Sequence, residues 1–180
     1  EPDFLVHAAM SPNNPLCTQQ WYLLKSCWHV EGPWDHRIFN SGIDAFDAWD
    51  IRTSADSVVV AVIDTGIRYT HEDLAANMWH ENDPIYGTIY GWNFSVKDDD
   101  VKKSDPMDGF GHGTACAGII GAVGNSGVGV VGVAWNVKLM ALKFLDDQGT
   151  GYVSDGTSAI DFACDHGAKI LNCSWGYNSP

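Results

Sequence analysis

Asp64 and His112 are the two side chains best placed to do chemistry. Asp64 ends the apolar run VVVAVID at 58–64, and His112 stands between glycines in GFGHGTACAGIIG at 109–121. An aspartate at the end of a buried strand is poorly solvated. It stays ionised only beside hydrogen-bond donors or a positive partner. Thr65 and Gly66 can turn the chain sharply there and present backbone N–H groups. A histidine at a helix N-terminus faces the positive end of the helix dipole, which disfavours imidazolium and leaves a ring able to accept a proton. A carboxylate on its other ring nitrogen would fix the tautomer and steady the cation formed during reaction. Each residue alone has a plainer reading, a helix cap for Asp64 and a structural role for His112.

The surrounding elements must bring these two residues together. Residues 58–63 form a β-branched run with no polar interruption, as expected of a strand buried on both faces. His112 to Val123 reads as a helix rich in small residues, and 43–50 as a short amphipathic helix. VKLMALKFL at 137–145 and AKILNCS at 168–174 read as further strands. Between them, Ser154 or Asp155 caps a helix that carries Ala159, Ile160, Ala163 and Cys164 on its apolar face and ends at Gly167. Strand, helix and strand make a βαβ unit with parallel strands. The expected class is α/β with a mostly parallel sheet, whose active site lies beyond the carboxyl ends of the strands. Asp64 follows one strand and Ser174 closes another.

The chain has 180 residues, 45% of them hydrophobic, with a net charge of −13. That length suits one domain. The acidity disfavours nucleic acid and anionic membranes as partners. The longest apolar run, 58–63, is far short of the ~20 residues of a membrane span. Of the five cysteines, Cys17 and Cys27 could pair, while Cys116, Cys164 and Cys173 sit among apolar residues as small hydrophobes. The stretch 95–108 reads as a solvated loop or, through Asp98, Asp99, Asp100, Asp105 and Asp108, as a cation site. Gly127, Gly129 and Gly132 spell GxGxxG. They follow a predicted helix rather than a strand, which argues against a dinucleotide site.

AVIDTGI at 61–67, HEDL at 71–74, GHGT at 111–114, VKLMALKFLDDQGTG and AKILNCSWG together resemble the subtilisin-like serine proteases, the subtilases of peptidase family S8. The resemblance spans nearly the whole chain and implies the N-terminal part of a three-layer subtilisin-like catalytic domain. NNPLCTQQWYL at 13–23 resembles the start of a mature domain, so residues 1–12 are expected to be the tail of a propeptide. The resemblance implies a secreted or cell-envelope endopeptidase acting on polypeptides through an Asp-His-Ser triad. Asp64 would orient His112, and His112 would serve as general base and then acid. Gly149, Thr150 and Gly151 would pair with the substrate backbone on one side, and Ser174, Trp175 and Gly176 on the other, as in strand addition. Bare glycine backbone would let a peptide approach closely.

The family's nucleophile motif GTSMAxP and its oxyanion asparagine are not in this sequence. GTSAID at 156–161 carries Ser158 but lacks the rest of the motif and starts a helix. The 180 residues alone are therefore expected to be inactive and to fold poorly. They need the C-terminal half of the domain as a partner. The alternative is a truncated or split subtilase that only binds peptide. The resemblance also implies a structural calcium ion held by Asn14, Asp73, Val123, Ser126, Val128 and Val130. Asn14 and Ser126 stand where the family more often has aspartate and asparagine, which should weaken binding.

Overall fold

The computed structural model describes residues 11–24, 27–28, 38–39, 42–96 and 103–176. Four parallel strands form the central sheet: β3 (Ser54–Asp64), β6 (Gly91–Asn93), β7 (Asn136–Lys143) and β8 (Ile170–Asn172), in the order β6-β7-β3-β8. Two antiparallel pairs lie outside it, β1 (Cys27–Trp28) with β2 (Ile38–Phe39), and β4 (Glu81–Asp83) with β5 (Gly87–Ile89). The helices are α1 (Ala45–Trp49), α2 (His112–Gly121) and α3 (Val153–Asp165).

Alternation along the strands sorts the apolar residues into two faces. Val60 and Val62 of β3 join Val137, Leu139 and Ala141 of β7 against Ala117 of α2 and Ala122 just beyond its end. Ala61 and Ile63 join Met140, Leu142 and Phe144 against Ala159 and Ala163 of α3. The result is helix, sheet, helix, the expected three-layer α/β arrangement. The small residues of α2 let it lie close to the sheet. A Cβ on Gly121 would stand 2.4 Å from Val137 Cγ1.

A third apolar cluster docks the N-terminal segment through Leu23, Trp49, Val131 and Trp135. Gln20 secures it by a reciprocal pair, its Nε2 donating to Val131 O at 2.8 Å and its Oε1 accepting from Val131 N at 2.9 Å. Cys17 is a buried free thiol; the side chain of Cys27, its candidate partner, lies outside the described residues.

Several boundaries differ from expectation for local reasons. The first helix is the shorter Ala45–Trp49. α2 stops at Gly121 because Ala122 turns extended and the Val123 N–H goes to Asp73 O instead, at 2.9 Å. The N-cap of α3 is Tyr152, not Ser154 or Asp155, which fall inside the first turn. Its other end is as expected: Gly167 has φ +80°, its N–H reaches Cys164 O, and Ala168 N–H reaches Ala163 O, a Schellman closure. β7 ends at Lys143, where the Phe144 and Leu145 N–H groups both turn onto Asp64 O. β8 keeps only three residues of the expected 168–174 strand. Among the described residues it pairs with β3 alone. Beside it an apolar cleft of about 320 Å³ is lined by Val58, Val60, Ile119, Val133, Val137 and Ile170, among others.

Candidate active site

Asp64 ends the interior strand β3, with Lys143 directly beside it on β7. Its carboxylate is completely buried, and both oxygens face His112. The His112 Nδ1 lies 2.8 Å from Oδ1 and 2.9 Å from Oδ2. His112 opens α2 and is 45% exposed, so the outer edge of its ring meets solvent. The two residues that sequence alone singled out are therefore in contact.

The Thr65 turn makes this contact possible. Its N–H donates to Asp64 Oδ1 at 2.7 Å, and its hydroxyl accepts the Gly113 N–H at 3.0 Å, tying β3 to the first turn of α2. Gly113 must lack a side chain. A Cβ there would stand 2.2 Å from Gly66 O and 3.1 Å from Asp64 Cβ. Gly66 has φ +99° and lies against Pro106 O.

Further residues shape the site, and sequence reading placed neither Lys143 nor Tyr69 among them. Lys143 is 5% exposed; its ammonium donates to Thr65 O at 2.7 Å and to Asp147 Oδ1 at 2.8 Å. The signal was a lysine inside an otherwise apolar strand, which needs an anionic or carbonyl partner. Asp108, read as a candidate cation ligand, instead serves the N-terminus of α2. Its Oδ1 accepts from Phe110 N (2.9 Å) and Gly111 N (2.8 Å), and its Oδ2 from Thr114 N (3.0 Å) and Thr114 Oγ1 (2.5 Å). Burial by itself would raise its carboxyl, but the bonds from Gly111, Thr114 and Phe110 outweigh it, and the group is held below the ordinary aspartate value. Asp105 is also engaged, accepting from Tyr69 Oη and Met107 N at 3.1 Å each. Burial, then the neighbouring Asp105, pushes the Tyr69 phenol up to about 12. Asp98, Asp99 and Asp100 lie outside the described residues. Cys116, one turn along α2, has its Sγ 4.0 Å from His112 Nδ1. Burial raises its thiol, while the neighbouring Ser174 hydroxyl works the other way.

The expected peptide-pairing segments are not strands. Gly149 closes the turn that begins at Asp146 beyond β7, and Thr150 and Gly151 follow it as irregular chain. The N–H groups of Gly149 and Thr150 are used internally, on Asp146 O (3.0 Å) and Asp146 Oδ1 (2.9 Å). The glycines here are required by the fold itself. Gly149 has φ +75°, and a Cβ on Gly151 would stand 2.3 Å from Phe144 O. Ser174, Trp175 and Gly176 follow β8 without regular secondary structure. The Trp175 indole packs on Phe144 at 4.8 Å and donates to Ile63 O at 2.9 Å, bracing the end of the sheet. Ser158 lies on α3 with its hydroxyl donating to Ser154 O at 3.1 Å.

The six residues of the expected calcium site do converge. Asn14 Nδ2 is 2.9 Å from Val123 O and Ser126 Oγ, 2.7 Å from Val128 O and 2.8 Å from Val130 O. Asp73, 3% exposed, accepts from Val130 N with Oδ2, while its buried Oδ1 makes no hydrogen bond. Burial raises its carboxyl; the Val130 N–H, His71 and the nearby Ser126 hydroxyl offset this only in part. Gly127 and Gly129, of the GxGxxG match, shape this loop with φ +71° and +45°.

Comparison with known proteins settles the relationship. Residues 55–180 match the model of the subtilase family. The chain belongs to that family. It is 36% identical over 176 residues to the thermophilic serine proteinase of Bacillus sp. (strain AK1), covering 98% of this chain and 36% of that protein. Thermitase of Thermoactinomyces vulgaris is 36% identical over 134 residues, which is 74% of this chain and 42% of thermitase. The crystal structure of the Aeromonas sobria serine protease in complex with a chaperone superposes with a TM-score of 0.71 at 27% identity, over 96% of this chain and 27% of the protease. The chain thus spans about two fifths or less of the length of these subtilases.

Proposed function

We propose that these residues are the N-terminal part of the catalytic domain of a serine endopeptidase, with Asp64 and His112 as two members of its triad. The observation that carries this reading is the buried Asp64 carboxylate set 2.8 and 2.9 Å from His112 Nδ1, with the far side of the ring open. Nδ1 keeps its proton toward Asp64, and Nε2 takes the proton of a serine hydroxyl as it attacks the peptide carbonyl. Asp64 stabilises the imidazolium so formed. His112 then gives the proton to the leaving amine, and water later hydrolyses the acyl-enzyme. The serine and the oxyanion donor come from the C-terminal part of the domain. That part also covers the apolar cleft at Ile119, Val133 and Ile170, three residues exposed by 51%, 41% and 53%.

The substrate is an extended polypeptide lying between 149–151 and 174–176. Asp146 occupies the N–H groups of Gly149 and Thr150. Pairing on that side therefore falls to the Gly149 carbonyl and to Gly151, whose N–H bonds to no described residue. The protein's own propeptide, ending near residue 12, is a second peptide partner. No helix among the described residues is long and apolar enough to cross a membrane, and we read the protein as secreted or attached to the cell envelope.

Asp73, Asn14 and Ser126 side chains with the carbonyls of Val123, Val128 and Val130 would hold a calcium ion. The buried, unpartnered Asp73 Oδ1 fits that role, as do the hard oxygens around it. The ion would tie the N-terminal segment to residues 123–130 and take no part in the chemistry.

The test is labelling of the native-length protein with a fluorophosphonate, which reacts only with an activated serine. The wild type should label and cleave casein, and His112→Ala should lose about 10⁴-fold or more in kcat. An unlabelled, correctly folded wild type would overturn the peptidase reading in favour of a subtilase that only binds peptide.

A further inference from the structure

The cage around Asn14 holds more acceptors than its donor can serve. An amide nitrogen carries two hydrogens. Four oxygens surround Asn14 Nδ2 at 2.7 to 2.9 Å, from Val123, Ser126, Val128 and Val130, and the Ser126 hydroxyl brings one further hydrogen, donated to Val128 O at 3.3 Å. At least two of those contacts have no hydrogen between the atoms. Turning the amide over does not help. It would set Oδ1 against the three carbonyls of Val123, Val128 and Val130, leaving only the Ser126 hydroxyl to donate to it, and lose the bond that Asn125 N donates to Oδ1 at 2.9 Å. Asp73 Oδ1 adds another buried acceptor without a donor.

The loop is also bent to aim its oxygens inward. Asn125, Gly127 and Gly129 all take left-handed conformations, with φ +56°, +71° and +45°. A shell of oxygens with too few hydrogens is what a bare cation satisfies. In this chain an amide nitrogen stands at its centre.

We propose that the Asn14 amide is a built-in stand-in for the calcium ion. It occupies the centre of the cage, joins residues 123–130 to the N-terminal segment when no ion is bound, and must withdraw for an ion to enter. The stand-in rests on the calcium reading of the same cage. It makes the ion dispensable in this protein, because the entering cation has to displace a group already bonded there and finds one carboxylate, Asp73. Asn14→Asp removes the amide hydrogens and adds a second carboxylate, so it should turn an optional site into an obligatory one. Asn14→Ala removes the stand-in without adding charge.

The experiment compares thermal unfolding in excess EDTA and in millimolar calcium chloride, with terbium luminescence as a direct binding signal. It uses the native-length protein, protected from self-digestion by phenylmethylsulfonyl fluoride. The wild type should unfold at nearly the same temperature in both conditions and bind terbium weakly. Asn14→Asp should bind terbium about tenfold or more tightly and unfold several degrees lower in EDTA than in calcium. Adding Asp73→Asn should remove that tight binding. In EDTA, Asn14→Ala should melt below the wild type.

A wild type that binds terbium tightly and loses as much in EDTA as Asn14→Asp would overturn the stand-in and leave the calcium reading intact. If neither protein binds terbium, both ideas fail. Should Asn14→Asp not fold, Asn14→Ala still decides: melting in EDTA equal to the wild type would mean that the amide holds nothing together.

Discussion

Around Asp64, donors and acceptors are matched. Oδ1 takes the Thr65 N–H, His112 Nδ1 faces both oxygens, the Thr65 hydroxyl takes the Gly113 N–H, and the Thr65 carbonyl takes the Lys143 ammonium. Around Asn14 they are not matched: four oxygens crowd one amide nitrogen, and Asp73 Oδ1 has no donor. Both constellations join distant parts of the chain through buried aspartates. The matched one is complete as protein and can hold a catalytic geometry without help. The unmatched one has acceptors to spare, and the calcium proposal rests on that surplus. Counting hydrogens, rather than counting acidic residues, separates the two. The acidic stretch before α2 makes the same point. Asp105 and Asp108 look like metal ligands by type, yet their oxygens are taken by the protein's own N–H and O–H groups.

Changes that unmatch the Asp64 constellation should break this contrast. Short of removing His112 itself, the largest effect is expected from Gly113→Ala. The new methyl meets Gly66 O at 2.2 Å, so α2 must move away from β3 and carry His112 with it. Displacement of that order costs about 10²-fold in kcat, with a loss of about 1–3 kcal/mol in stability. Casein hydrolysis and urea unfolding of the native-length protein measure both. Wild-type activity in Gly113→Ala would mean that the close approach of helix and strand is not needed.

Lys143→Met should come next. It leaves the Thr65 carbonyl buried without its charged donor, at a cost of about 1–3 kcal/mol. Because Thr65 braces both Asp64 and Gly113, the variant should lose kcat with little change in KM. Lys143→Arg, keeping the charge, should recover part of the loss. Equal losses in both variants would point to packing rather than to the donated bond.

The smallest effect is expected at the helix N-terminus. Asp108→Asn keeps the shape but weakens acceptance from three N–H groups and a hydroxyl, for about 1 kcal/mol. The sign with pH follows from its lowered carboxyl. The charged form is favoured by folding, so its stabilisation is complete above the ordinary value of 3.8 and is lost as pH falls through the lowered folded value. Unfolding midpoints of wild type and variant should therefore converge on acidification below about pH 4. A difference that persists at pH 2 would assign the effect to shape rather than charge.

The sequence by itself determined the α/β class, the parallel order of the βαβ unit, the two faces of β3 and the candidate pair. Apolar periodicity and turn residues are local properties, and each leaves a mark within a few positions. Gly167 could be read as a helix end because αL closure is chosen by the residue that occupies it. Asp64 and His112 were legible because an ionisable group after an apolar strand, or between glycines before a helix, is locally anomalous. Tertiary structure alone decided which donors meet which acceptors. The Thr65 hydroxyl on Gly113, the Lys143 ammonium on Thr65 and the Asp108 carboxylate on α2 depend on how layers dock, and docking is not written in neighbouring residues. The reason the glycines at 149 and 151 are needed was hidden in the same way. They make room for a turn and for the chain's own Phe144 carbonyl. Even at Asn14, where resemblance named six residues that the fold brings together, only the packed cage revealed a nitrogen at its centre, because a hydrogen count requires all the neighbours to be in place.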